Sequence, residues 1–271
     1  MKLRDWIDTK KLCWDLLSCN CNAIELLKSE PDKINWAFLS TNINAIELLL
    51  ENPEKIKWRN LSKNPNAIEI LRKNPDKIDW SNLSKNENAF ELIIENPEKI
   101  DWVYLSRNPN PNVIELLKKN QGKIDWFYLS RNPGAIEIIK QNKNKIVWDS
   151  LSKNPNAIDI LMSYNNKINW WYLSENHNAI ELIEKNQDKI NWYWLSANPN
   201  AIELLKNNQD KIDWNLLSFN PNIFTYDYEK IKSNFQVLGE EIIAKALHPT
   251  RIFKLMEIYN RDDVYNTYFN Y

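Results

Sequence analysis

An all-α fold, an α/α solenoid of about ten 22-residue two-helix repeats with N- and C-terminal caps, is what this sequence predicts. Three observations lead there. Tryptophan falls at positions 14, 36, 58, 80, 102, 126, 148, 170, 192 and 214, so eight of nine intervals are 22 residues. Self-similarity at a fixed period of roughly 20–50 residues signals a solenoid, propeller or array. Each period carries two short apolar-periodic runs separated by asparagine and proline. Glycine occurs only 3 times in 271 residues, against 41 asparagines.

The elements follow in chain order. Residues 1–10 read as an N-terminal cap, with Asp5 to Thr9 resembling a half-unit before the first full repeat. Residues 11–222 form the repeat array, in which Lys, Trp, Leu, Ser and Asn recur at fixed places in all ten copies. In the first helix, Asp79 caps Trp80-Ser81-Asn82-Leu83-Ser84, and Trp80 and Leu83 form an i, i+3 apolar pair. Asn86 closes it, and in most copies the next residue is proline, which disfavours helix in its predecessor. The second helix opens at Asn66-Ala67-Ile68-Glu69, read as an asparagine capping box. Asn74-Pro75 ends it. Such helices are far below the roughly 12–15 residues at which an isolated helix becomes marginal in water, so neighbouring repeats must hold them. Stacking ten units at about 8–10 Å each predicts a rod or superhelix roughly 90 Å long.

One interval is 24 residues because Asn108-Pro109-Asn110-Pro111-Asn112 replaces the usual Asn-Pro-Asn. Insertions in repeats map to loops, so Asn110-Pro111 is expected in an exposed turn. From Ile223 the period stops. Residues 223–271 read as a helical C-terminal cap, with a helix start at Asp227, an apolar helix from Glu240 to Leu247, and Pro249 in the first turn of another. A leucine-rich repeat shares the period, but the alternating Leu-x-Leu strand is missing: the slot two residues before the recurrent leucine holds Arg59, Ser81, Val103, Phe127, Asp149 and Trp171.

Composition narrows the function. Lys plus Arg number 35 against 36 Asp plus Glu, a net charge of −1, so no global field draws the chain to nucleic acid or membrane. Three glycines exclude a glycine-rich phosphate loop. Cys13, Cys19 and Cys21 form no disulfide or zinc pattern, and no signal peptide or apolar run of about 18 residues is present. A soluble protein of the cytoplasm is expected.

The recurring polar residues read as architecture. Nine equivalent carboxylates (Glu69 and its counterparts) suit helix starts, whereas acid–base catalysis needs two unlike environments around one cleft. The lysine ladder is expected to lay its stems on tryptophan or isoleucine, and the asparagine ladder to bond turn backbone. His177 and His248 have no partner at ligand spacing. No enzyme, metal or cofactor is expected.

Function should then lie where repeats differ. With Trp and Leu inward, the residues one, two and five places after Trp share the opposite face of a helical wheel. The fifth place holds Lys63, Lys85, Arg107, Arg131 and Lys153 in five consecutive repeats. Aromatics gather at the other two: Tyr104, Phe127, Tyr128, Trp171, Tyr172, Tyr193 and Trp194. A contiguous stripe of Tyr, Trp and Arg has the composition of an interface hot spot. The expectation is a non-enzymatic scaffold that binds a protein partner, acidic or extended, along this stripe. Single-stranded nucleic acid is the alternative, because such binding combines aromatics with cations.

The repeated Lys-Ile-Asp-Trp-x-x-Leu-Ser-x-Asn-Pro-Asn-Ala-Ile-Glu-Leu-Leu, with a tail of Ile223-Phe224-Thr225-Tyr226-Asp227-Tyr228 and Ala246-Leu247-His248-Pro249-Thr250-Arg251-Ile252, resembles the tryptophan- and asparagine-rich repeat proteins of mimivirus-like giant DNA viruses. The resemblance covers essentially the whole chain. It implies an interaction scaffold acting in the infected host cell, and no active site.

Overall fold

The computed structural model describes residues 1–258 and is an α/α solenoid of ten repeats. Each first helix starts at its tryptophan, as in Trp14–Ser18, Trp80–Ser84 and Trp214–Phe219. Where the preceding residue is Asp or Asn, its side chain caps the helix: Asp79 accepts from the Asn82 N–H and Asp125 from that of Tyr128. Leu17, Leu83 and Leu217, three residues after their tryptophans, are fully buried. Between the second helix and the next tryptophan lies a 3-10 turn that the sequence did not announce, such as Pro75–Lys77.

The second helices differ from expectation at their starts. A 3-10 turn, Pro65–Ala67, precedes Ile68–Arg72, so the cap moves upstream. Asn64, not Asn66, accepts from backbone here, from the Asn66 N–H, and no side chain caps the helix itself. The carboxylates therefore close no capping box. Glu115 and Glu137 instead face Lys118 and Lys140 at 2.6 and 3.0 Å on the exposed surface.

The insertion is no loop either. Asn110 caps a nine-residue helix, Pro111–Lys119, with Pro111 in its first turn and both Pro111 and Asn112 exposed. Two extra residues lengthen the second helix by part of a turn, because proline suits a first helical position. The next repeat carries Gly134 where the other nine have asparagine. A Cβ there would lie 2.7 Å from the carbonyl oxygen of Pro109.

The repeats do not form a rod. Asn42 donates to the carbonyls of Ser18 and Asn20 in the preceding repeat, and each later asparagine does likewise to its own predecessor. Asn20 of the first repeat makes the same two bonds, each 3.0 Å, to Ser218 and Asn220 of the tenth. The serine ladder closes in the same way. Ser18 Oγ accepts from the Asn35 N–H at 2.9 Å, and Ser218 Oγ accepts from the Cys13 N–H at 2.8 Å. Lys33 sits 4.5 Å over the Trp14 ring, and Lys11 sits 4.8 Å over the Trp214 ring. Residues Leu3–Phe224 are thus a closed ring of ten repeats.

The tenth repeat has a first helix but no second. Chain from the N-terminus stands at that place. The Arg4 N–H donates to Ile223 O at 2.9 Å, Arg4 Nε donates to Asn222 O at 2.7 Å, and Ile7 is buried. Ten repeats in one turn need a rotation of about 36° each, which the narrow first-helix side and broader second-helix side supply. The sequence-based rod length omitted that rotation.

Met1–Lys2 and Thr225 onward make a second unit. It contains the helices Tyr228–Ala246 and Pro249–Ile258, the first begun by Asp227, which accepts from the Lys230 N–H. One 19-residue helix thus runs through the start and the apolar stretch that the sequence suggested. Among the described residues no helix is long and apolar enough to cross a membrane.

Candidate functional site: the ring lumen

Between repeats, the closest approaches of helix to helix are those of first helices, as for Trp126–Ser130 with Trp148–Ser152. Elements on the inside of a curve crowd and those outside spread, so first helices form the inner wall. Ten spacings of 8–10 Å give a circle roughly 25–30 Å across at the helix axes. Inward side chains narrow it to a bore about 13–20 Å wide.

The second and fifth residues after each tryptophan face this bore. A cavity of about 620 Å³ is lined by Leu16, Phe38, Trp194 and Leu216 from the second place and by Cys19, Thr41, Lys63, Glu175 and Phe219 from the fifth. Lys63 belongs to the third repeat and Glu175 to the eighth, opposite members of a ring of ten. Electrostatics crosses the lumen too. Burial pulls the Arg107 guanidinium below its ordinary value, Arg131 pulls it further, and Glu175, three repeats on, partly restores it. Lys63 is lowered by burial, with Cys19 two repeats away opposing this and Arg107 adding to it. Burial pushes the Cys19 thiol up to about 11.

The sequence-predicted stripe therefore divides. Lys63, Lys85, Arg107, Arg131 and Lys153 stand on consecutive repeats around half the lumen, and curvature makes them converge rather than run along a line. Tyr104, Tyr128, Tyr172 and Trp194 stand one helical turn away on the same wall. Phe127, Trp171 and Tyr193, one place after tryptophan, are not among the side chains that line the cavity, although the Phe127 and Tyr193 rings pack edge-on against those of Tyr128 and Trp194, at 5.3 and 5.2 Å between centroids. The three are 51, 58 and 48% exposed, in a row with Val103 at 44%. This slot adjoins the start of the next repeat's first helix, as the 3.8 Å approach of Arg59 to Asp79 shows. A helical wheel spreads the first and second places by about 100° with the fifth between them, so the exposed row borders the residues of the bore.

Two features bear on what the lumen can bind. The aromatic faces are partly taken: Lys85 lies 4.9 Å over Tyr104, and Lys153 lies 4.6 Å over Tyr172 and 4.4 Å over Trp194. Lys153 also reaches Glu175 at 2.6 Å. Among the described residues, no acid forms a salt bridge with Lys63, Lys85, Arg107 or Arg131. Burial lowers Lys85 as well, and Lys63 and Arg107 add to that.

Sequence reasoning missed the opposite wall, where Leu16, Phe38, Leu216 and Phe219 leave an apolar surface. The signal was present at the same slots of the end repeats, but it becomes contiguous only when repeats ten and one meet. No group of three or more His, Cys, Asp or Glu is placed to hold a metal ion among the described residues. No family model, curated protein or solved structure matches the chain.

Proposed function

We propose that the ring is a non-enzymatic scaffold that holds a partner polypeptide on the exposed row Val103, Phe127, Trp171 and Tyr193. The single observation behind this reading is that four large apolar side chains occupy one slot in repeats five, six, eight and nine and stay about half exposed. Large aromatics supply most of the energy of protein interfaces, and half-exposed ones gathered on one surface are otherwise a solubility cost. The repeat spacing presents them to an extended segment as two adjacent pairs, parted by the exposed Asp149 of repeat seven. The cations beside them favour acidic residues in that segment. The resemblance to viral repeat proteins supports a reading in which the scaffold acts in the cytoplasm of an infected host cell.

Single-stranded nucleic acid fits less well. Base stacking needs free ring faces, and lysines of the protein itself cover those of Tyr104, Tyr172 and Trp194.

A photo-crosslinking amino acid at position 127 or 171 should capture the same polypeptide, and one at Glu137 on the outer surface should not. Changing Tyr193 to Ser should reduce that capture without lowering the melting temperature. Equal labelling from position 137, or capture of RNA in place of protein, contradicts the reading.

A further inference from the structure

The lumen has two unlike walls facing each other, a pattern the rim partner does not use. On one side Lys63, Arg107 and Arg131 converge without a salt-bridged acid. On the other, Leu216 and Phe219 of repeat ten and Phe38 of repeat two border the 620 Å³ cavity, with Phe219 and Phe38 still 46 and 37% exposed. Both halves are unfavourable as they stand. Like charges gathered in a confined space repel, and apolar surface left in water is unfavourable. The cavity's own charged lining is Lys63 and Glu175, with Arg107 and Arg131 on the wall between those two repeats, and a largely apolar cavity of this volume with a few charged groups at its edge has the proportions of a small-molecule site.

We propose that the lumen binds an anionic amphiphile, its apolar chain against repeats nine, ten, one and two and its carboxylate or phosphate head against Arg107, Arg131 and Lys63. A wholly polar anion leaves the apolar wall wet. A neutral apolar molecule leaves the cations unpaired. Only a ligand carrying both parts satisfies both walls. Arginine is suited to the head because its planar fork pairs with two oxygens of one anionic group. Glu175, through Arg107, and Asp79, through Lys85, are the acidic side chains whose charge reaches this wall. They leave the five cations in excess.

Isothermal titration of the intact protein tests this with four probes below their micellar concentrations: decyl phosphate, decanoate, decyltrimethylammonium and inorganic phosphate. Decyl phosphate should bind at least about tenfold more tightly than either decyltrimethylammonium or inorganic phosphate, as expected for charge-assisted bonds added to apolar burial. Comparison with decanoate decides between phosphate and carboxylate heads. The double change Arg107→Gln, Arg131→Gln should remove the preference for anion over cation. If that variant does not fold, Lys63→Met should reduce the same preference. Phe219→Ser should weaken decyl phosphate and leave inorganic phosphate unchanged. Equal binding of the three decyl compounds overturns the proposal, as does inorganic phosphate binding as well as decyl phosphate. Trp171→Ser should not alter any of these values, so failure here and failure of the rim reading remain distinct.

Discussion

Two residues per repeat carry the joint between neighbours. Ser62 Oγ donates to Trp58 O at 2.8 Å and accepts from the Asp79 N–H of the next repeat at 2.9 Å. Asn86 donates to Ser62 O and Asn64 O, at 3.1 and 2.9 Å, and accepts from the Asn88 N–H at 3.0 Å. Ser62, Asn64 and Asn86 are buried, and a buried polar group without a partner costs about 1–3 kcal/mol. The sequence showed the asparagine bonding its own turn. It could not show the amide reaching into the neighbouring repeat, because every asparagine of the ladder looks alike. Asn86→Ala should destabilise the protein by about 2–4 kcal/mol in urea unfolding. Asn20→Ala should cost the same, since its partners Ser218 and Asn220 complete the circuit. A near-neutral Asn20→Ala would mean that repeats one and ten are not joined.

At the scale of the element, period and apolar spacing made the helices legible, and capping chemistry did not. Asn-Ala-Ile-Glu has the spacing of a capping box, yet the buried Asn64 already organises the turn, so the helix begins after Ala67 and the glutamate turns to solvent. The insertion was located and its conformation was not, because proline in a first helical turn and proline in a loop read alike. Deleting Pro111 and Asn112 restores the 22-residue unit but puts Val113 in a fully buried slot that holds alanine in the other eight repeats with a second helix. That overpacking should cost about 1–3 kcal/mol. Adding Val113→Ala should return stability to within about 1 kcal/mol of the parent. Denaturant midpoints check both. A double change as damaging as the deletion alone would mean that the longer helix supports the ring in some other way.

For the whole repeat unit, closure changes the meaning of the variable positions. On a rod, Lys63 to Lys153 would be a line of charge suited to an extended peptide; on a ring they gather against one side of a bore. The evidence for closure lay in the end repeats. An open solenoid replaces interface residues at its ends with polar ones. Here Ser18, Asn20, Ser218 and Asn220 are kept, and the half-unit at residues 4–10 matches the missing second half of repeat ten. That pairing of a surplus with a deficit was readable, but only topology could say that the two meet. Closure also removes both exposed ends, so short helices of four to six residues, as in Trp36–Leu39 and Ile24–Ser29, are held on both sides throughout. The most direct test is a distance across the join. In a background with the three native cysteines replaced, spin labels at exposed Asp15 and Asn215 occupy equivalent slots of repeats one and ten. Double electron–electron resonance should find them about one repeat spacing apart, roughly 10 Å between backbones and under about 30 Å between labels. A distribution centred near 80–90 Å, the span of ten repeats stacked in a line, would contradict the ring.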